Sequence, residues 1–220
     1  MPLHFSEDEL RQITEAVEAA EVQTAGEIVP VIARNSGQYG EAVWRAASLC
    51  GVLSLVGVML VFQLYDGWGL TWLYAGWGVA VVATAAGTLG AVVTAYVPAV
   101  KRLLTPTDLM ARKVHRRAMQ AFVEEEVFNT KDRTGILIFI SIDEHRIEVL
   151  GDTGINAVVE PDDWIAVIER IRDGIQQDHV AEGLVEAIGL CGNLLRRRGV
   201  DPQGADPNEL DNHLRIYPGD

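Results

Sequence analysis

Five carboxylates stand where side chains can do chemistry. Asp152 ends an alternating apolar run and is flanked by Gly151 and Gly154. Asp143 and Glu144 form a turn ahead of that run, and Asp162 and Asp163 follow Pro161 at a helix start. If the fold gathers several of them, their oxygens make a pocket suited to Ca²⁺ or Mg²⁺. A divalent ion held there can also hold a phosphate, which opens a route to metal-assisted phosphatase chemistry with Asp152 as the candidate catalytic residue. The same placements have a purely local explanation. An Asp leaving a strand caps its own turn, and acids in a first helical turn meet the positive end of the dipole. Calcium-loop spacing of the EF-hand kind is absent.

Other motifs add little chemistry. Asp152-Thr153-Gly154 spells the aspartic-protease triplet, but that reaction needs two carboxylates sharing a proton, and the chain has no second triplet. His4, His115, His145, His179 and His213 lack metal-ligand spacing, and neither a Gly-x-Ser-x-Gly elbow nor a phosphate loop occurs. Cys50 falls in an apolar run and Cys191 in a helix stripe, so both read as packed thiols in a reducing cytoplasm.

The elements that must position these carboxylates are legible in the pattern. Ser6-Glu7-Asp8-Glu9 has capping-box form, and Leu10, Ile13, Val17 and Ala20 follow at helical spacing to about Val22. Glu27 to Ala33 reads as a strand, and Pro30, which cannot donate to a ladder, predicts an edge or a bulge. A helix runs from Pro106-Thr107-Asp108 to about Glu126. Gly135 to Ile142 is a central strand covered on both faces, and Arg146 to Leu150 is its hairpin partner. Helices follow from Pro161, with Trp164, Ile165, Ile168 and Ile171 inward, and from Val180 to Arg198. The tail from Asp201 to Asp220 lacks periodicity and reads as an acidic arm.

Between the first strand and the second helix the composition changes. The chain carries 18 Lys plus Arg against 31 Asp plus Glu, a formal net charge of −13, which argues against general nucleic-acid binding. From Ala46 to Val100, however, the only charge is Asp66. Residues 46–65 and 71–97 are each long enough for a transmembrane helix, since about 20 apolar residues cross a hydrocarbon core. The first is apolar on all faces. The second is bracketed by Trp72, Tyr74 and Trp77 and by Tyr96, and its Gly76, Gly78, Gly87 and Gly90 offer a small-residue surface to another helix. The Asp66 turn has no Lys or Arg, whereas Arg34 and Arg45 precede the hairpin and Lys101, Arg102, Arg112, Lys113, Arg116 and Arg117 follow it. This bias predicts a two-pass protein of the cell membrane, with both termini cytoplasmic. The six cations after the hairpin are also placed to meet anionic lipid headgroups. The N-terminus has no apolar core of the signal-peptide kind.

The layout is therefore one α/β domain, residues 1–45 plus 101–198, interrupted by a hairpin over 46–100 and followed by an arm over 199–220. The soluble stretches resemble the TPM-domain family, named from a thylakoid-lumen protein, a photosystem-repair protein and a nematode receptor modulator. The resemblance rests on Phe5-Ser6-x-x-x-Leu10 leading to Ala25-Gly26-Glu27-Ile28, on Thr134 to Ile140, and on Arg146 to Ile155 with its Gly151-Asp152-Thr153-Gly154. Trp164 and Gly183-Leu184 to Ile188 continue it. It implies a mixed β-sheet sandwiched by helices, and it brings two functions attached to the family, an acid phosphatase and a calcium-binding module. The inserted hairpin departs from the family's exported layout.

The sequence thus points to a membrane-tethered module that binds a protein partner or assembles with itself on the cytoplasmic face, with Ca²⁺ or Mg²⁺ as its candidate ion. The alternative is a metal-assisted phosphatase. Transport is disfavoured, because two spans without an intramembrane charge offer no pathway.

Overall fold

Strands with apolar residues at consecutive positions cannot leave either face to water, and this requirement organises the first unit. The computed structural model describes residues 5–37, 39–64, 71–200 and 209–218; the Asp66 turn, His4 and tail residues 201–208 lie outside them. In chain order the elements are α1 (Glu7–Glu21), β1 (Glu27–Ala33), α2 (Gly40–Leu64), α3 (Thr71–Tyr74), α4 (Gly76–Tyr96), α5 (Pro98–Leu104) and α6 (Thr107–Glu124). There follow β2 (Gly135–Ser141), β3 (Arg146–Gly151), α7 (Thr153–Asn156), a 3₁₀ turn (Pro161–Trp164), α8 (Ile165–Gln176), α9 (Val180–Arg197) and β4 (Arg215–Tyr217).

The chain forms two compact units, residues 1–37 with 111–220, and residues 38–110. In the first, a mixed sheet has the order β3-β2-β1-β4. β1 pairs in parallel with β2 and β4, and β3 runs antiparallel to β2. All residues of β1 and β2 are buried. Alternation sorts their side chains into two cores. Ile28, Ile32, Ile136, Ile138 and Ile140 pack with Ile13 and Val17 of α1, Val167 and Ile171 of α8, and Leu184 and Ile188 of α9. Val29, Val31, Ala33, Leu137 and Phe139 meet Val114, Ala118 and Ala121 of α6. Each large side chain buried in this way contributes about 1.5–3 kcal/mol. At the start of α1 the capping box is present: Ser6 Oγ accepts the Glu9 N–H at 3.2 Å and Glu9 Oε2 accepts the Ser6 N–H at 2.7 Å.

Pro30 gives a correction to the expected edge strand, because β1 lies between two neighbours. The Glu27 N–H bonds the β2 side and the Arg34 N–H bonds Tyr217 of β4. Backbone direction alternates along a strand, so Pro30 faces the β4 side, where pairing begins only at Val31. Its missing donor therefore interrupts no ladder bond. The tail is the second correction. Residues 209–218 are not a free arm but return to the sheet, and β4 adds to β1. Three residues are too few to show a period, and what holds them comes from distant parts of the chain.

In the second unit α2 begins at Gly40, earlier than the apolar run, because Tyr39, Ala42 and Met110 form a small core that hydropathy does not mark. A break at Ala75, in extended conformation, separates α3 from α4. Gly78, Gly87 and Gly90 of α4 pack within the chain, while a Cβ on Gly76 would meet nothing within 4 Å. A Cβ on Gly90 would stand 3.0 Å from Ala46 O and 2.6 Å from Cys50 Sγ, and one on Gly87 3.2 Å from Ala47 O. The close approach expected of this surface is thus made, at these positions, with α2.

Candidate functional site

Asp152 sits where β3 ends, its N–H bonded to Gly135 O at 2.9 Å. Its Oδ1 caps α7 by accepting the Thr153 N–H at 2.6 Å and also takes Arg133 Nη2 at 3.1 Å. Oδ2 is shut off from water and faces Arg133 Nε at 2.7 Å without an aligned hydrogen bond. The Asp152 side chain is 5% exposed and that of Arg133 50%. The loop carrying Arg133 is held against the turn: the Gly154 N–H bonds Arg133 O at 2.9 Å. A Cβ on Gly154 would lie 2.8 Å from that oxygen and closer still to Asp132 O, so only glycine fits. Arg133 itself takes a left-handed backbone, φ 58°. Asn156 Nδ2 closes the turn onto Gly151 O at 2.6 Å. The local reading of Asp152 therefore describes its geometry: it ties β3, α7 and the loop before β2 together.

The other acids lie elsewhere. Asp143 belongs to the turn at the far end of β3, and about 20 Å of strand separates it from Asp152. Beside it Glu144 is buried and accepts Ser141 Oγ at 2.5 Å and the Ser36 N–H at 3.0 Å, while Ser36 Oγ lies 2.5 Å from Ser141 Oγ. Ser36 and Ser141 have no signature in the sequence beyond being small polar residues after apolar runs. Asp162 is exposed. Asp163 accepts the Glu160 N–H at 2.9 Å and pairs with Arg198; the Arg198 hydrogen bond, then that backbone bond, hold its carboxyl below the usual range. Asp152 and Asp143 are not brought together, and among the described residues no group of three or more His, Cys, Asp or Glu gathers in a form that could hold a metal ion.

The cations divide in the same way. On α6, Arg112 and Arg116 are exposed and share an outward stripe with Met119 and Val123, which are 46% and 59% exposed. Arg117 turns inward to Glu124 at 2.8 Å and covers the Tyr217 ring at 4.4 Å. The Lys113 stem passes beside Gly37. In the second unit, Arg102 is exposed and Lys101 Nζ lies 6.0 Å from the centre of the Tyr39 ring.

Residues 93–193, which include the Asp152 turn, match the family model of the TPM domain. The chain carries a TPM domain. Its fold is also that of a solved structure, the NMR structure of the BA42 protein from the psychrophilic bacterium Bizionia argentinensis. The two are 20% identical over 98% of each chain, with a TM-score of 0.59. No curated protein matches the sequence.

Proposed function

We propose that this protein is a membrane-anchored binding module, in which α2 and α4 fix the TPM domain to the cytoplasmic face of the cell membrane. One observation carries the reading. The two helices that are long and apolar enough to cross a bilayer turn their apolar side chains outward, with Leu49, Val52, Leu53, Met59 and Leu60 of α2 and Trp77, Val81 and Leu89 of α4 exposed. Contiguous apolar surface on this scale marks a lipid or protein interface. Lys101, Arg102, Arg112 and Arg116 then suit anionic headgroups, at about 1 kcal/mol for each cation near the surface. With Asp152 committed to Arg133, the reading rests on surfaces, where a protein partner or a second copy of the chain docks, rather than on a metal-assisted reaction.

The test is alkaline carbonate extraction of membranes from cells expressing the full chain. The protein stays in the pellet and leaves only with detergent. Release by carbonate alone would sink the proposal.

A further inference from the structure

Positive charge is concentrated in one stretch of an acidic chain. Residues 109–123 hold Arg112, Lys113, Arg116 and Arg117 without one Asp or Glu, against a formal net charge of −13 for the whole. They make up most of α6, which starts at Thr107 with ten residues between it and the end of α4 at Tyr96. One face of α6 is spent on the sheet, where Val114, Ala118 and Ala121 pack with residues of β1 and β2. Two of the cations are engaged within the domain as well. Arg117 turns to Glu124 and the Tyr217 ring, and the Lys113 stem lies beside Gly37.

The outward side keeps a single row. Arg112, Arg116, Met119 and Val123 follow at spacings of four, three and four, so they fall within about 60° of one another around the axis and extend about 17 Å along it. All four are exposed. On the flanks, Gln120 is neutral and His115 lies 3.4 Å from Glu148 of β3. The acids nearest in sequence are Asp108, one turn before the row, and Glu124, which pairs with Arg117. Cations beside apolar side chains on one exposed helix face are the pattern of a helix lying in a headgroup layer. Two apolar side chains are too few for the desolvated core of a protein interface, whereas lipid asks for no such core.

We propose that this row is a second membrane contact: Arg112 and Arg116 meet the phosphates of anionic lipids, Met119 and Val123 sink between the headgroups, and α6 lies parallel to the bilayer surface. The inference rests on α2 and α4 anchoring the chain. Ten residues reach at most about 35 Å, so the anchor keeps the row close to the bilayer at high effective concentration. A contact too weak to hold a free domain then suffices. The acidic remainder of the chain is repelled by the same lipids, and this turns the basic row toward them.

The experiment is ¹³C-methyl-methionine NMR of the full chain in nanodiscs of phosphatidylglycerol that include a lipid spin-labelled on its upper acyl chain. Met59→Leu and Met119→Leu assign the two signals that matter, one from α2 and one from the row. Both should be broadened by the spin label. With phosphatidylcholine in place of the anionic lipid, and in the double variant Arg112→Glu with Arg116→Glu, Met119 should sharpen while Met59 stays broad. The neutral-lipid arm needs no variant, so misfolding of the double variant would not remove the test. A sharp Met119 beside a broad Met59 in the anionic bilayer would overturn the row contact and leave the anchor intact. Both sharp would overturn the anchor and the row contact with it. Broadening of Met119 that persists in neutral lipid would also overturn the proposal, because nearness imposed by the anchor alone does not depend on lipid charge.

Discussion

β2 and α2 are both largely unbroken apolar stretches, yet their surroundings are opposite. Every residue of β2 is buried, Phe139 completely. Along α2 only Ala42, Ala46 and Val58 are buried, and Leu53 is 59% exposed. The α/β unit covers its apolar strands from within the chain, with α6 on one face and α1, α8 and α9 on the other. Among its described residues the helical hairpin buries few positions, Ala42, Ala46 and Val58 of α2 and Gly78 and Thr94 of α4, and Gly87 and Gly90 meet α2 closely. Composition alone therefore does not say where an apolar residue ends up. The geometry of its neighbours does, and on the hairpin the exposed apolar side chains are the ones that the proposed membrane anchoring would cover.

Substitutions can break this contrast on either side. The largest effect belongs to the sheet core: Phe139→Ala should destabilise the domain by about 3–5 kcal/mol, seen as a lower denaturation midpoint. Leu53→Ala in the hairpin should leave that midpoint unchanged. Next, Leu53→Asp should disfavour membrane insertion by about 3–4 kcal/mol, read as a smaller carbonate-resistant fraction. The domain's own midpoint should not move, because Leu53 has no part in its core.

A third substitution, Asp152→Asn, should cost about 1–3 kcal/mol, because it keeps the α7 cap but removes the charge opposite Arg133. It should not affect phosphate-ester hydrolysis. Metal-dependent turnover abolished by Asp152→Asn would instead make the turn catalytic. The smallest effect is at the surface, where Ser6→Ala should cost about 1 kcal/mol through loss of the α1 cap.

The legible part of the fold was the part written locally. The capping box at Ser6, the unbroken run of β2 and the start of α9 at Val180 each follow from neighbouring residues, and the structure has each of them. The bounds of β1, Glu27–Ala33, agree with the expected strand. Contacts made over long separations were not legible. Ser36 meets Ser141 across 105 positions and Glu144 across 108, and Glu27 meets Glu209 across 182. For the same reason the tail read as an arm: β4 is defined by its partners on β1 and by Glu125, which takes Arg215 Nε and the Tyr217 O–H, rather than by a pattern of its own. Asp152 was legible as a residue of interest, and its partner Arg133 was not, because the left-handed turn that aims the guanidinium has no glycine to announce it.

The account stands or falls on whether the hairpin crosses a bilayer with the TPM domain inside. The direct measurement is labelling of single introduced cysteines, Asp66→Cys and Asp220→Cys, in intact cells with a membrane-impermeant maleimide. Background from Cys191 should be low, since burial pushes its thiol up to about 12 and leaves little thiolate to react, and the wild-type chain, labelled in parallel, sets the contribution of Cys50. Labelling of Asp66→Cys from outside, with Asp220→Cys reached only after permeabilisation, is the expected result. Protection of both sites in intact cells, with the protein in the soluble fraction after lysis, would contradict the account.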